Sequence, residues 1–168
     1  MAIEYPNKGV FVKEFTVKDI EEIYDLRTLL ESYAIKNSVK TLTSINIQEL
    51  MDILQKLVKC YEDNDLAHYI EIDSHLHQYI ITLGGNSLVV DIYRRVYSQS
   101  QQFRIYSLTT QRRFDDSVTE HRGIVENLIA GNWKEADRIN RIHLSLAREE
   151  IIEHFEAKKE EDKESEEE

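Results

Sequence analysis

Turn-forming residues are nearly absent from this chain. Its 168 residues include five Gly and one Pro, where average usage would supply roughly twelve and eight. Sandwiches and barrels reverse direction about every 8–12 residues and need such residues each time, so few connections and long elements remain. The expected fold class is all-α, an antiparallel bundle of about six helices. With 41% hydrophobic and 32% charged residues over this length, one soluble domain with a real core is expected and two full domains are not.

Charge narrows the function. A net charge of -11 has the wrong sign for neutralising phosphates, so this chain alone is not expected to hold DNA. The single Cys60 excludes an intramolecular disulfide and a Cys-based zinc knuckle, and it fits a reducing cytoplasm. No apolar run approaches the roughly 20 residues of a membrane span, and the start MAIEYPNKG lacks the apolar core of a signal peptide. A cytoplasmic protein with no membrane partner is expected.

Along the chain, Pro6-Asn7-Lys8-Gly9 reads as a turn and Val10-Phe11-Val12 as a short strand, too short to stand alone. Residues 1–14 are therefore set apart from a helical domain over 15–157. Three- and four-residue apolar spacing with cap-like starts predicts helices over about 17–38, 46–62 (capped at Asn46), 65–83, a long one from Asn86 through Leu108 with a possible kink at the polar Ser98–Gln102, 118–130 (capped at Ser117), and 133–156. From Lys158 the tail KKEEDKESEEE holds three Lys and seven acids, net -4, and is expected to be disordered.

Six His are present, and three fall on the apolar stripe of their helix, where an imidazole must find a partner. His77 follows Ile70 by seven residues and Asp73 by four, which puts Asp73 and His77 on one inward face. His121 precedes Ile124, Val125 and Leu128 by three, four and seven; His143 follows Ile139 by four and precedes Leu146 by three. One reading is that each is a hydrogen-bonded core residue. The other is that Asp73, His77, His121 and His143 form a ligand set for a divalent metal such as zinc, nickel or manganese, built between facing bundle helices. His68, His75 and His154 sit on other faces or among polar neighbours and read as surface or supporting residues.

Arg27 also lies inward, three after Tyr24 and three before Leu30. It reads as a structural ion pair with an acid on another helix, Asp25 and Glu31 being excluded by geometry, or as a bidentate clamp for a carboxylate ligand. Gln111-Arg112-Arg113 reads as a solvated loop.

These residues resemble the C-terminal effector-binding (FCD) domain of the GntR family of bacterial transcription regulators, in its FadR-like branch. Ile23-Tyr24-Asp25-Leu26-Arg27-Thr28-Leu29-Leu30-Glu31 is similar to the family's Arg-x-x-Leu-Glu opening and Asp73-Ser74-His75-Leu76-His77 to its Asp-x-x-x-His. Gly85-Asn86-Ser87-Leu88 matches the Gly-Asn turn that follows, while Glu120-His121-Arg122-Gly123-Ile124-Val125, Gly131-Asn132-Trp133-Lys134-Glu135-Ala136 and His143-Leu144 resemble the closing stretch. The likeness covers about residues 10–156, with Leu76 in place of the usual aromatic before the metal histidine. It implies that Asp73, His77, His121 and His143 bind a divalent metal, that Arg27 receives the carboxylate of a small organic acid, and that the chain forms a homodimer. Residues 7–12 are similar to the last strand of a winged helix-turn-helix, and DNA would be contacted only through that domain, absent from this chain.

Two functions follow. The first is a ligand sensor without chemistry. The alternative is a metal-dependent hydrolase-like enzyme, disfavoured because no general base, Glu-x-x-His pair or nucleophile constellation accompanies the site. A purely structural adaptor with hydrogen-bonded core histidines is a third reading.

Overall fold

Local capping chemistry sets where the helices start. The computed structural model describes residues 2–5, 9–12 and 15–166. In α1 (Val17–Ser38) the Asp19 amide donates to the Thr16 hydroxyl while the Thr16 amide donates to the Asp19 carboxylate. α2 (Ser44–Glu62) begins two residues before its expected start. Its cap is Thr43, and Asn46, expected as the cap, answers from the third position. α3 (Leu66–Leu83) starts at the Asp65 cap and α4 (Ser87–Ser100) at Asn86, as expected.

Three further boundaries differ from the expectation. The long fourth helix stops at Ser100 and resumes as a five-residue 3-10 turn, η1 (Arg104–Leu108). The hydroxyls of Ser98, Ser100 and Ser107 each donate to the carbonyl three residues back, a local bond that competes with the helical ladder. α5 (Gln111–Ile129) starts at Thr110, so Ser117 is a buried mid-helix residue rather than a cap. The upstream stripe of Phe114 and Val118 supplies the extra turns with apolar burial. α6 (Trp133–Glu166) runs through the tail that charge density marks as disordered. That stretch has no Gly or Pro and consists mainly of Glu and Lys, which tolerate the helix well.

At the N-terminus β1 (Ala2–Tyr5) and β2 (Gly9–Val12) pair antiparallel, Ile3 opposite Phe11 and Glu4 opposite Val10. The expected strand lies in β2, and its partner β1 was not anticipated. The expected turn at Pro6–Lys8 lies outside the described residues.

Two apolar clusters hold the helices. One joins Ala34 and Ile35 of α1 to Leu50, Ile53, Leu76, Ile80 and Ile124. The other joins Ile20, Ile23 and Tyr24 of α1 to Phe103, Leu144 and Ile151. Along α1 the buried Arg27 and Glu31 fall between the two clusters, and along α6 Asn140 and His143 do the same. A polar layer thus crosses the middle of the bundle. Where α3 ends it approaches α1 closely: a Cβ on Gly84 would lie 2.7 Å from the Ala34 Cα, so only glycine fits there. Among the described residues no helix is long and apolar enough to cross a membrane.

Candidate metal centre

The polar layer is centred on the four residues that helical spacing singles out. Asp73 and His77 project from one face of α3, His121 comes from α5 and His143 from α6, all buried. One ligand atom from each lies within 4.8 Å of the others. His121 Nε2 is 2.7 Å from Asp73 Oδ1, His77 Nε2 is 3.4 Å from the same oxygen, and the two Nε2 atoms are 3.3 Å apart. Despite this crowding Asp73 Oδ1 takes part in no hydrogen bond. A buried carboxylate oxygen crowded by ring nitrogens yet without a hydrogen bond is unsatisfied, and a cation answers that arrangement.

The other nitrogen of each ring is tied down. His77 Nδ1 donates to Glu31 Oε2 at 2.8 Å, His143 Nδ1 to Glu120 Oε2 at 2.7 Å, and His121 Nδ1 lies 3.0 Å from the Tyr69 hydroxyl. With Nδ1 of His77 carrying the proton its Nε2 lone pair is left for the centre, and a His121 that donates through Nδ1 to the Tyr69 hydroxyl offers its Nε2 likewise. Burial pushes His121 and His143 well below the ordinary imidazole range, and the neighbouring imidazoles add to it, so both rings are neutral and able to ligate.

The carboxylates outside the centre are held in turn. Glu31 accepts from Arg27 Nε at 3.1 Å, Tyr93 Oη at 2.9 Å and Asn140 Nδ2 at 3.1 Å. Burial would raise its carboxyl, but His77 and Arg27 outweigh burial and hold it well below the usual range. Glu120 accepts from both terminal nitrogens of Arg113, at 3.2 and 2.9 Å. Against burial, His143 and Arg113 bring it down to about 2. Arg104 pairs with Asp73 Oδ2. Burial and the nearby Arg27 charge lower its guanidinium to about 9, still charged at neutral pH.

Two sequence expectations change here. Arg27 is buried and pairs with Glu31, one helical turn on, an acid that geometry was expected to exclude; four-residue spacing is in fact the pairing distance on a helix. Arg113, expected in a solvated loop, is buried in the first turn of α5 against the site. Arg104, Glu31, Glu120 and Tyr69 were not singled out, though Glu31 was readable at four residues from Arg27 and Glu120 at seven from Arg113. His68 and His75 are exposed as expected, and His154 stacks on Tyr106 at 4.0 Å, away from the centre.

A family model described as the FCD domain matches residues 22–146. The uncharacterized HTH-type transcriptional regulator YdhC of Bacillus subtilis (strain 168) is 24% identical over 148 residues, which cover 88% of this chain and 61% of YdhC. This chain therefore spans about three fifths of the length of that relative. Among solved structures, E. coli McbR/YncC superposes with a TM-score of 0.81 at 15% identity, covering 91% of this chain and 77% of that one. The metal-free FCD domain of TM0439 superposes with a TM-score of 0.74 at 21% identity, covering 86% and 99%. The Zn2+-bound form of that domain superposes with a TM-score of 0.68 at 21% identity, covering 85% and 98%.

Proposed function

The chain belongs to the FCD domain family, and from that premise we propose that it is the effector-binding domain of a GntR/FadR-type transcription regulator. In this reading Asp73, His77, His121 and His143 hold a divalent metal (zinc, nickel or manganese) and Arg27 receives a carboxylate of a small organic acid. The observation that carries it is the pinning of all three imidazoles through Nδ1 around an unsatisfied Asp73 oxygen. A bound divalent ion would offer open positions to an anionic oxygen. The existence of metal-free and Zn2+-bound forms of a similar domain supports exchange at such a site. Sensing is favoured over turnover because Glu31 and Glu120, the carboxylates nearest the site, are both spent on holding histidines and arginines. The β1–β2 hairpin fits the end of a preceding winged domain, through which DNA would be read.

The test is thermal melting of tag-free protein never exposed to nickel resin. Metal at a hundredfold over its Kd adds about 2.7 kcal/mol, roughly 5–11 °C for a chain of this size, and citrate, lactate or a sugar acid adds a further rise only with metal present. Melting curves that superpose with and without metal, or across a broad acid panel in its presence, count against the reading.

We also infer a homodimer through α1 and α4. These helices run antiparallel, with Asn86 Nδ2 bonded to the Tyr33 hydroxyl at one end and Glu22 and Arg95 lining one groove at the other. Their outer face shows Leu26, Leu29 and Tyr33 beside Leu88 and Ile92, Leu29 being 64% and Leu88 71% exposed. Five exposed large apolar side chains on two neighbouring helices suit an interface, and a groove lined by an acid and a base suits a second copy of itself. Sedimentation should give a dimer for the native chain and a monomer for Leu29→Glu/Leu88→Glu; a monomeric native chain at tens of micromolar refutes it.

A further inference from the structure

The two helices that would meet a second copy carry the same pattern of outward residues. On α1 the exposed stripe is Glu22, Leu26, Leu29 and Tyr33, and on α4 it is Leu88, Ile92, Arg95 and Gln99. Both follow a spacing of four, three and four residues, which keeps each set on one face of its helix. Each stripe is apolar except at one end, where α1 carries an acid and α4 a base followed by an amide. The hydrogen bond from Asn86 Nδ2 to the Tyr33 hydroxyl fixes the relative level of the two antiparallel helices. Eleven residues back from Tyr33 is Glu22 and eleven on from Asn86 is Tyr97, so Glu22 stands level with the turn that holds Arg95 and Gln99. Glu22 and Arg95 line one groove there. Yet among the described residues Arg95 has no acid within ion-pair distance, whereas the adjacent Arg94 pairs with Asp91 at 3.1 Å. Glu22 has Lys18 at 3.6 Å, both side chains exposed, a contact worth little in water.

A two-fold axis lying in the interface can bring this face onto a copy of itself in two ways. If the axis crosses the helices, α1 lies on the partner's α1 with its ends exchanged. Glu22 then meets the Tyr33 end of the partner and Arg95 the Leu88 end, and both charges lose water without gaining a counter-charge. If the axis runs along the helices, levels are preserved and α1 lies on the partner's α4. The apolar parts of the two stripes then cover one another, and the acid end of each copy meets the base end of the other, twice. Resting on the homodimer reading above, we propose that Glu22 of each copy pairs with the partner's Arg95, and that these two pairs select the arrangement in which α1 of one copy lies on α4 of the other. The lock sets which surfaces match as well as how they align, because a copy without both charges leaves its partner's charges unanswered.

Charge reversal tests it, because it changes which copies can pair. Glu22→Arg gives a copy with two cations on the face and Arg95→Glu a copy with two anions. Each alone should raise the dimer dissociation constant at least about tenfold, since like charges then face one another twice across the interface. Mixed in equal amounts, the two variants should form a dimer holding one of each, at least about tenfold tighter than either homodimer, as read by sedimentation and native mass spectrometry. The double variant Glu22→Arg/Arg95→Glu should pair with itself again. Both side chains lie at the surface, so thermal melting should show every variant folded. Added salt should loosen the native and mixed dimers and tighten the reversed ones. Reversed copies that dimerise as the native chain does, or that stay apart when mixed, overturn the pairing while leaving a homodimer in place. A native chain that is monomeric at tens of micromolar overturns the homodimer and the pairing together.

Discussion

Glu31→Ala is expected to destabilise the metal-free protein by about 3–5 kcal/mol, a large share of the total for a domain of this size. Glu31 is fully buried and accepts hydrogen bonds from Arg27, His77, Tyr93 and Asn140. Its removal leaves a buried guanidinium with only Tyr93 and the face of Tyr24, 5.0 Å away, and takes the acceptor from three further donors. Glu31→Gln keeps the shape but loses the charge and should fall between the two. Because Glu31 also fixes the proton on His77 Nδ1, the glutamine variant should lose about 10–100-fold in metal affinity. Urea denaturation of the metal-free chain decides the first part: a loss below about 1 kcal/mol for Glu31→Ala would mean that water reaches Arg27 and that the layer is not dry.

His121→Ala should do the opposite, emptying the centre while sparing the fold. His121 is the hub, 2.7 Å from Asp73, 3.3 Å from His77 and 4.4 Å between ring centroids from His143. Its outer partners Tyr69 and Ser117 already bond one another at 3.0 Å, so neither is orphaned when the ring is removed. Elemental analysis should show metal falling from about one per chain to near zero, and the variant should melt close to the metal-free native protein. Full metal content in the variant would show that the four residues do not act as one ligand set.

The four central residues were legible because a polar side chain on an apolar stripe stands out wherever the stripe itself is read correctly. The boundaries of α1 and α3 matched the periodicity, and Asp73 and His77 were therefore placed correctly. Where a boundary was wrong, the residues attached to it were lost. Starting α5 at Ser117 instead of Thr110 hid Arg113, which in the longer helix lies four residues before Ser117 and eight before His121 on the same face. Reading α4 as one long helix gave no reason to look at Arg104, whose role depends on the 3-10 turn that carries it. Glu31 was hidden differently. Its spacing was plain, but a buried acid serving an arginine on its own helix and a histidine on another becomes visible only when α1 and α3 are packed together.

At the break after α4, Phe103 is the residue just before Arg104, and its ring meets that of Phe15 edge-on at 5.2 Å. Phe15 lies two residues before α1, on the chain's way from β2. One short turn therefore carries a cation on one arm and a ring on the other, the cation against the cavity and the ring against the stretch that leads back to the hairpin. The turn has the form of a rocker. Any shift of this turn that moved Arg104 at the cavity would move Phe103 against Phe15 as well, so the two ends of the turn answer to one another.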